Sequence, residues 1–149
     1  MVAYATFAEG DTYFVTRLNS DAWDDETVDA NKTAALTMAT NIIDRLNFKG
    51  TKVTTAQVLQ FPRNDDTVVP QDIKNASFEI GLALLDGVDP DLEFETLNMV
   101  SQGYGSARST YDTSRPPENV LAGVPSMFAW RYLKPYLRDP LNIKISRVT

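Results

Sequence analysis

The chain of 149 residues contains neither cysteine nor histidine. Disulfides and zinc sites of the usual Cys/His type are therefore excluded, and the fold must be held together by an apolar core alone. A domain of this length buries about 68–70% of the surface that its unfolded chain exposes, which is enough for such a core. Because thiol nucleophiles and histidine-based catalytic triads are also excluded, only carboxylate, lysine, tyrosine or hydroxyl chemistry is left, and we expect no enzymatic activity, no metal and no cofactor.

Two long segments repeat apolar residues at helical spacing. The first spans about residues 29–47, with Asp29 as the predicted N-cap and Gly50 as the predicted stop signal. The second spans about residues 70–85, begins at Pro70 and is apolar on two sides, which predicts a central place in a bundle. The apolar residues of the first helix are Ala35, Met38, Ala39, Ile42, Ile43 and Leu46, and those of the second are Ile73, Ala76, Phe78, Ile80, Leu82, Leu84 and Leu85.

Shorter helices are predicted near both ends of the chain. Thr6 and Glu9 have the spacing of a capping box, which opens a helix that extends to about Leu18. Another helix is expected from about Pro125 to Leu137, and the proline at position 135 should kink or shorten it.

Three segments lack helical spacing. Residues 51–69 are interpreted as a long ordered loop held by apolar side chains, and residues 99–112, rich in Ser, Thr, Gly and Tyr, as a β-hairpin. Residues 138–149 alternate apolar and polar side chains and are interpreted as an extended tail. Trp23, in a polar connection, is expected to fold back onto the core. The predicted fold class is therefore mainly α, a small bundle of about four helices in residues 1–137 with a projecting β-hairpin, a long ordered loop and a separate C-terminal tail.

Charge is unevenly distributed along the chain. The net charge is −6, but residues 1–107 carry seven Lys or Arg against 17 Asp or Glu, whereas residues 108–149 carry seven against three. An acidic body with a basic C-terminal quarter predicts two surfaces that face different partners, with a chance distribution as the alternative. Glu9 and Asp11 interrupt the stretch in which a signal peptide would be apolar. No apolar run reaches the ~18 residues of a membrane span, so we expect no membrane association.

Candidate chemical motifs do not fit their templates. The acidic residues from Asp89 onward alternate like the start of a calcium-binding loop, but Phe94 and Val100 occupy the positions of its Gly and Glu, so a solvated turn is favoured. Residues 103–106 lack the Gly-Lys-Ser/Thr of a phosphate cradle. Three aromatic residues could stack nucleic-acid bases, although aromatic residues at helical spacing more often form core. They are Trp130, Tyr132 and Tyr136.

Six stretches of sequence carry a resemblance to known proteins. They are Ile43-Asp44-Arg45-Leu46, Phe48-Lys49-Gly50, Gln60-Phe61-Pro62-Arg63, Val69-Pro70 through Ala83, Ser101-Gln102-Gly103-Tyr104-Gly105-Ser106 leading to Thr110-Tyr111-Asp112, and Ala129-Trp130-Arg131-Tyr132-Leu133-Lys134-Pro135-Tyr136-Leu137. In this order they resemble the head–tail connector, or adaptor, group of head completion proteins of tailed phages. Relatives of the pattern also carry the label of a DnaT-like single-stranded-DNA-binding protein.

This resemblance implies a structural protein without catalytic residues. Copies would form a homo-oligomeric ring, commonly a dodecamer, that lies beneath the portal protein, extends the DNA channel and receives the next neck protein or tail-terminator (stopper) protein. The protein would be made in the host bacterial cytoplasm and reside in the neck of the virion. An acidic body suits a channel through which DNA passes without specific binding, because each neutralised phosphate adds affinity through counterion release. The alternative is a single-stranded-DNA-binding protein, which would use a basic groove with interleaved aromatic residues.

Two sets of contact residues follow as hypotheses. The hairpin and the long loop are expected to contact adjacent subunits or the next neck protein, through Phe61, Arg63, Gly103, Tyr104, Gly105 and Ser106. The C-terminal tail is expected to dock on the portal by strand addition, with its basic residues facing an acidic partner. Folding of the tail back onto its own subunit is the alternative. The predicted portal-docking residues are Arg138, Leu141, Ile143, Lys144, Ile145 and Arg147.

Overall fold

The computed structural model of the chain describes residues 2–96, 101–104, 107–110 and 117–138. Within these ranges it contains seven α-helices, one 3₁₀ helix and two short strands. In chain order they are α1 (Phe7–Phe14), α2 (Asp21–Asp24), α3 (Asp29–Asp44), α4 (Gln71–Leu85), α5 (Pro90–Thr96), β1 (Ser101–Tyr104), β2 (Ala107–Thr110), α6 (Glu118–Leu121), α7 (Met127–Leu133) and the 3₁₀ helix Lys134–Tyr136. The prediction of a mainly α fold is confirmed, whereas the expected number of about four helices is too low.

The N-terminal helix α1 begins as predicted. The backbone N–H of Glu9 donates to Thr6 Oγ1 (3.3 Å) and that of Thr6 donates to Glu9 Oε2 (2.8 Å), which is the reciprocal pairing of a capping box. The helix ends at Phe14 and not at Leu18, because the N–H of Arg17 turns back to the carbonyl oxygen of Phe14 (3.2 Å). Leu18, predicted to extend the apolar face, is exposed.

The first long helix, α3, begins one residue before the predicted position and ends three residues before it. Val28 is its N-cap, and Asp29 is already its first helical residue. The helix stops at Asp44, and Gly50, the predicted stop signal, lies in the following loop with a φ of 75°. Met38, predicted on the core face, is exposed. The end of this helix is therefore decided by contacts that its own sequence pattern does not contain.

The second long helix, α4, is the central element, as its two apolar sides predict. It begins directly after Pro70 and ends at Leu85, as expected. It packs against α1, α2, α3 and α7, so that two core clusters form around it. Its residues in the cluster with α3 and α7 are Ile73, Ala76 and Ile80, and those in the cluster with α1 and α2 are Phe78 and Leu82.

Three short helices, α2, α5 and α6, fall where the sequence shows no helical spacing. In α5, Oδ1 of Asp89 accepts the N–H of Asp91 (2.9 Å), and Pro90 takes the first helical position. The prediction of a solvated turn at this stretch is therefore wrong, because a capping carboxylate and a proline start a helix there. Trp23 lies in α2 and is buried, which confirms that it folds back onto the core.

The last helix is divided at Pro135, as predicted. α7 ends at Leu133, and the 3₁₀ helix continues the chain. Because Pro135 has no N–H, it cannot extend α-helical hydrogen bonding. At the other end, Ser126 caps the helix by accepting the N–H of Ala129 on its hydroxyl oxygen (3.2 Å).

The strands β1 and β2 pair in antiparallel fashion, with Ser101 opposite Thr110. The predicted tip, residues 105–106, lies outside the described residues, as do residues 97–100 and 111–116. A hairpin that projects from the helical body therefore stays a prediction.

Gly10 allows α1 to approach the indole of Trp23. A Cβ atom at this glycine would lie 2.5 Å from Trp23 Cζ2 and 2.8 Å from Cη2, closer than packed carbon atoms approach. We predict that Gly10→Ala lowers the free energy of unfolding by about 1–3 kcal/mol, although alanine favours a helix by about 1 kcal/mol over glycine. Urea unfolding at constant m-value measures this change.

Gly81→Ala in α4 is the matched control. A Cβ atom at Gly81 would meet the flexible end of Leu36 at 3.2 Å, so a small shift suffices and the helix preference of alanine offsets its cost. If Gly10→Ala were as stable as Gly81→Ala, then α1 would not pack closely on Trp23.

Candidate functional site

A buried carboxylate joins three segments at the centre of the molecule. Glu79, on α4, is 2% exposed, and its Oε1 accepts hydrogen bonds from the Tyr13 hydroxyl (2.6 Å) and from Nε of Arg17 (2.9 Å). Nη2 of Arg17 also donates to Glu79 Oε2 (3.2 Å), so that guanidinium and carboxylate make a two-point contact. The hydroxyl of Tyr132, on α7, lies 3.5 Å from that of Tyr13. We refer to these four residues as the Glu79 cluster.

The electrostatics of the Glu79 cluster are those of a structural ion pair. The hydrogen bond to Glu79 raises the pKa of the Arg17 guanidinium. Burial, together with the hydrogen bond to Glu79, raises the pKa of the Tyr13 hydroxyl well above its usual value. Both groups therefore keep their protons at neutral pH. The guanidinium also stacks on Phe128, with 4.4 Å between Cζ and the ring centroid. The arrangement is built to hold helices together.

The loop of residues 51–69 is held by one arginine. Arg63 is buried, and its guanidinium donates to the carbonyl oxygens of Lys49 (3.0 Å), Gly50 (2.6 Å) and Gln60 (3.3 Å). The side-chain amide oxygen of Gln60 accepts a further hydrogen bond from Nη1 of Arg63 (2.8 Å). The side chain predicted to contact a neighbouring subunit is thus occupied within its own chain.

Phe61 anchors the same loop in the core. Its ring packs edge-on against Phe48 (4.7 Å between ring centroids), Tyr136 (5.8 Å) and Tyr4 (6.2 Å). The contact of Phe61 with a neighbouring subunit stays a prediction, and within its own chain the residue is only 3% exposed. The exposed large apolar residues of this loop are valines that the sequence analysis did not single out. They are Val53, Val58 and Val68.

Asp44, the last residue of α3, ties the loop to the N-terminal segment. Its Oδ1 accepts hydrogen bonds from the Tyr4 hydroxyl and from the N–H of Gln60 (3.4 Å). Burial raises the pKa of the Asp44 carboxyl, and burial with the hydrogen bond to Asp44 raises the pKa of Tyr4. The helix α3 therefore ends at Asp44, whose carboxylate contacts both the N-terminal segment and the loop.

The predicted portal-docking segment begins on the helical body. Phe48 and Leu137 form an antiparallel bridge, and the N–H of Arg138 donates to the carbonyl oxygen of Asn47 (2.9 Å). Arg138 thus has a fixed backbone and an exposed side chain. The other predicted docking residues, Leu141, Ile143, Lys144, Ile145 and Arg147, lie outside the described residues. Of the predicted hairpin contacts, Gly103 and Tyr104 belong to β1, and Gly105 and Ser106 lie outside the described residues.

An apolar groove runs beside α3 and is closed at one side by α5. We name it the α3–α5 groove; the part beside α5 has a volume of about 420 Å³ and is also lined by Arg45, Asp89 and Asp91. It continues along α3 toward Glu26 and Asn31. The apolar residues that line it are Met38, Ile42, Leu84, Pro90, Phe94 and Leu121. The groove could not be predicted from the sequence, because α5 lies where the sequence shows no helical spacing.

Several basic side chains of the helical body are used in ion pairs. In the described ranges these pairs are Arg17–Glu79, Lys32–Asp11, Lys74–Glu9 and Lys134–Glu118. The hydrogen bond from Lys74 lowers the pKa of Glu9, and the one from Lys32 lowers the pKa of Asp11. Because these partners neutralise each other, the remaining surface of the body keeps the acidic excess of the sequence.

Glu79→Gln removes the negative charge of the Glu79 cluster while keeping the size of the side chain. Breaking a buried ion pair from one side costs about 3–5 kcal/mol, because it leaves an uncompensated charge. Since the Arg17 side chain is 20% exposed, we predict a loss at the lower end, about 3 kcal/mol, in urea unfolding.

Lys74→Gln, which breaks the more exposed pair with Glu9, is the control and should cost less than about 1 kcal/mol. The double variant Arg17→Met/Glu79→Gln should recover part of the loss, because no unpaired charge stays buried. Equal losses for Glu79→Gln and Lys74→Gln would contradict a central role of the Glu79 cluster.

Comparison with known proteins places the chain in a family. Among the described residues, no helix is long and apolar enough to span a membrane. Neither the curated proteins nor the solved structures contain a match to the chain. A family model described as "Putative DnaT-like ssDNA binding protein" matches residues 2–127. Because this match extends over most of the sequence, the chain belongs to that family.

Proposed function

We propose that the protein is a structural head–tail adaptor of a tailed bacteriophage. Copies form a ring, dodecameric in the form that the sequence resemblance implies, which lies beneath the portal and extends the DNA channel. The ring receives the next neck or tail-terminator protein, and its place is the neck of the virion. The observation that carries the proposal is the acidic charge of the helical body, with 17 Asp or Glu against seven Lys or Arg in residues 1–107.

A wall along which DNA slides must not hold phosphates. Each phosphate neutralised by a basic side chain adds binding free energy through counterion release. Arg17, Lys32, Lys74 and Lys134 are paired with carboxylates, and Arg63 donates to backbone carbonyl oxygens. These five basic groups are therefore not offered to a passing duplex, which supports the adaptor role.

Contacts with neighbouring subunits are proposed at the loop and at the strand pair. Val53, Val58 and Val68 are exposed on a loop that Phe61 and Arg63 fix to the body, so that apolar surface is presented from a held backbone. If these valines form one contiguous patch, that patch would be typical of a protein interface. We further propose that β1 and β2 form a projecting hairpin whose strand edges pair with the next neck protein.

Truncation after Arg138 tests the proposed contact between the C-terminal tail and the portal. We predict that it lowers the midpoint of thermal unfolding by no more than a few degrees, because the described core ends at Leu137. The truncated protein should lose co-sedimentation with purified portal, whereas a Val58→Ser variant should retain it. If the truncated protein still binds portal, the docking surface lies elsewhere, with the hairpin as the next candidate.

Binding of single-stranded DNA is the second candidate function. The description of the family to which the chain belongs favours it. Basic residues lie where the loop meets the last described residues of the chain. Lys49 and Lys52 flank the loop start and each make one long hydrogen bond, to the carbonyl oxygens of Pro135 and Gln57 (both 3.4 Å). The backbone N–H of Arg138 is bound to Asn47, and its side chain is exposed. This candidate would use a surface different from the acidic body.

Titration of fluorescent oligonucleotides at moderate salt separates the two functions. For an adaptor, we predict no saturable binding of single strands at micromolar protein. Micromolar affinity that falls as salt is raised would favour DNA binding instead. In that case Lys49→Glu/Lys52→Glu should abolish the affinity, and Lys74→Glu, whose lysine is already paired with Glu9, should leave it nearly unchanged.

A further inference from the structure

The α3–α5 groove is an apolar surface that the described residues leave open. Met38 is 53% exposed and Phe94 is 49% exposed, although both side chains line a concave site with Ile42 and Leu84. Contiguous exposed apolar surface of this kind marks a binding site more often than scattered apolar residues do. Because the groove follows α3 lengthwise, its shape suits a chain segment and not a compact ligand.

The described chain ends at Arg138, which is hydrogen-bonded to Asn47, two residues after the groove-lining Arg45. The N–H of Arg138 donates to the carbonyl oxygen of Asn47 (2.9 Å), and Arg45, close by in the chain, lines the groove. The residues after Arg138, numbers 139–149, reach about 36 Å when extended. The distance along α3 from Arg45 back to Asn31 is about 21 Å at the helical rise. The segment is therefore long enough to follow the groove to its far end.

Charges at the start of the segment and at the near end of the groove are opposite. Asp139 directly follows Arg138 in the sequence. The basic residue that lines the near end of the groove is Arg45. If the segment enters the groove from Arg138, its first residue, which is acidic, would meet the basic residue Arg45.

Farther along, the segment is basic and the groove is acidic. The segment continues with Lys144 and then Arg147. Asp89 and Asp91 line the same part of the groove as Arg45, and Asp89 and Glu26 line its continuation. At about 3.3 Å per residue, Lys144 and Arg147 of an extended segment that starts beside Arg45 would lie about 16 Å and about 26 Å along it, with Arg147 on the same face as Asp139 and Lys144 on the opposite face. A segment that runs from Arg45 toward Glu26 would therefore carry its positive charge toward the acidic end of the groove.

The apolar residues of the segment match the floor of the groove. Leu141, Ile143 and Ile145 alternate with other residues, so in an extended chain they lie on one face. That face would cover Met38 and Phe94, which remain half exposed otherwise.

We propose that in the free protein residues 139–149 lie in the α3–α5 groove of their own chain as an extended segment. The proposal rests on the groove and on the segment and does not depend on the adaptor function. If the adaptor function also holds, the portal competes with the groove for the same residues, so that the docking segment stays covered until a portal is present.

Disulfide trapping tests the proposal, because the chain has no cysteine of its own. The probe is the full-length Met38→Cys/Ile143→Cys protein at low micromolar concentration under mild oxidation, with Val15→Cys/Ile143→Cys as control. Val15 is 82% exposed and does not line the groove, so random collisions would favour the control. We expect the groove pair to form an intramolecular disulfide about tenfold faster, since a docked segment has a high effective concentration.

Charge reversal in the same protein provides the second measurement. Adding Lys144→Glu/Arg147→Glu to the groove pair should slow trapping about fivefold, and raising the salt concentration should slow the parent pair in the same direction. Equal rates for the groove pair and the control pair would overturn the proposal. Disulfide-linked dimers without the intramolecular product would also overturn it, because the segment would then occupy the groove of a second copy. Portal binding does not enter this test, so its outcome is separate from that of the truncation experiment.

Discussion

The ion pair between Glu79 and Arg17 fixes how the helices are arranged. A carboxylate that is 2% exposed on the central helix is stable there only if it is paired and hydrogen-bonded. Its partners come from the turn after α1 and from α1 itself, and Tyr132 of α7 meets the same group through Tyr13. Two helices that are distant in the sequence are thereby held beside α4. The apolar clusters supply the bulk of the core, and the Glu79 cluster selects the arrangement in which they pack.

The same use of charge inside the body shapes its exterior. Lys32 pairs with Asp11, which also accepts the indole N–H of Trp23 (2.8 Å), so this lysine serves the core cluster that contains Trp23. Arg63 stabilises the loop by donating to the carbonyl oxygen of Lys49. A basic side chain that is bound to a carboxylate or a carbonyl oxygen within the fold is not available to bind a phosphate of DNA. The same placement of basic side chains therefore stabilises the fold and leaves the surface of the body acidic.

Sequence alone predicted the features that neighbouring residues decide. The capping box at Thr6, the helix start at Pro70 and the break at Pro135 depend on chemistry within about one turn, and all three are confirmed. The end of α3 at Asp44 and the role of Glu79 depend on residues far along the chain, and sequence spacing carries no record of those contacts. The same holds for the candidate site. The loop was predicted as a contact surface from its sequence, whereas its exposed valines and the groove beside α5 were not predicted.

The loop and the last described residues of the chain both contact the backbone of Lys49. This backbone therefore lies between the two surfaces proposed for contacts in the neck. Arg63 binds the carbonyl oxygens of Lys49 and Gly50 from the loop side. From the other side, the N–H of Lys49 donates to the carbonyl oxygen of Tyr136 (2.9 Å), next to the bridge between Phe48 and Leu137. A partner that displaces the loop would strain the hydrogen bonds of Arg63 and hence the point from which the segment departs. Lys49 and Gly50 are thus the backbone at which the loop and the last described residues of the chain meet.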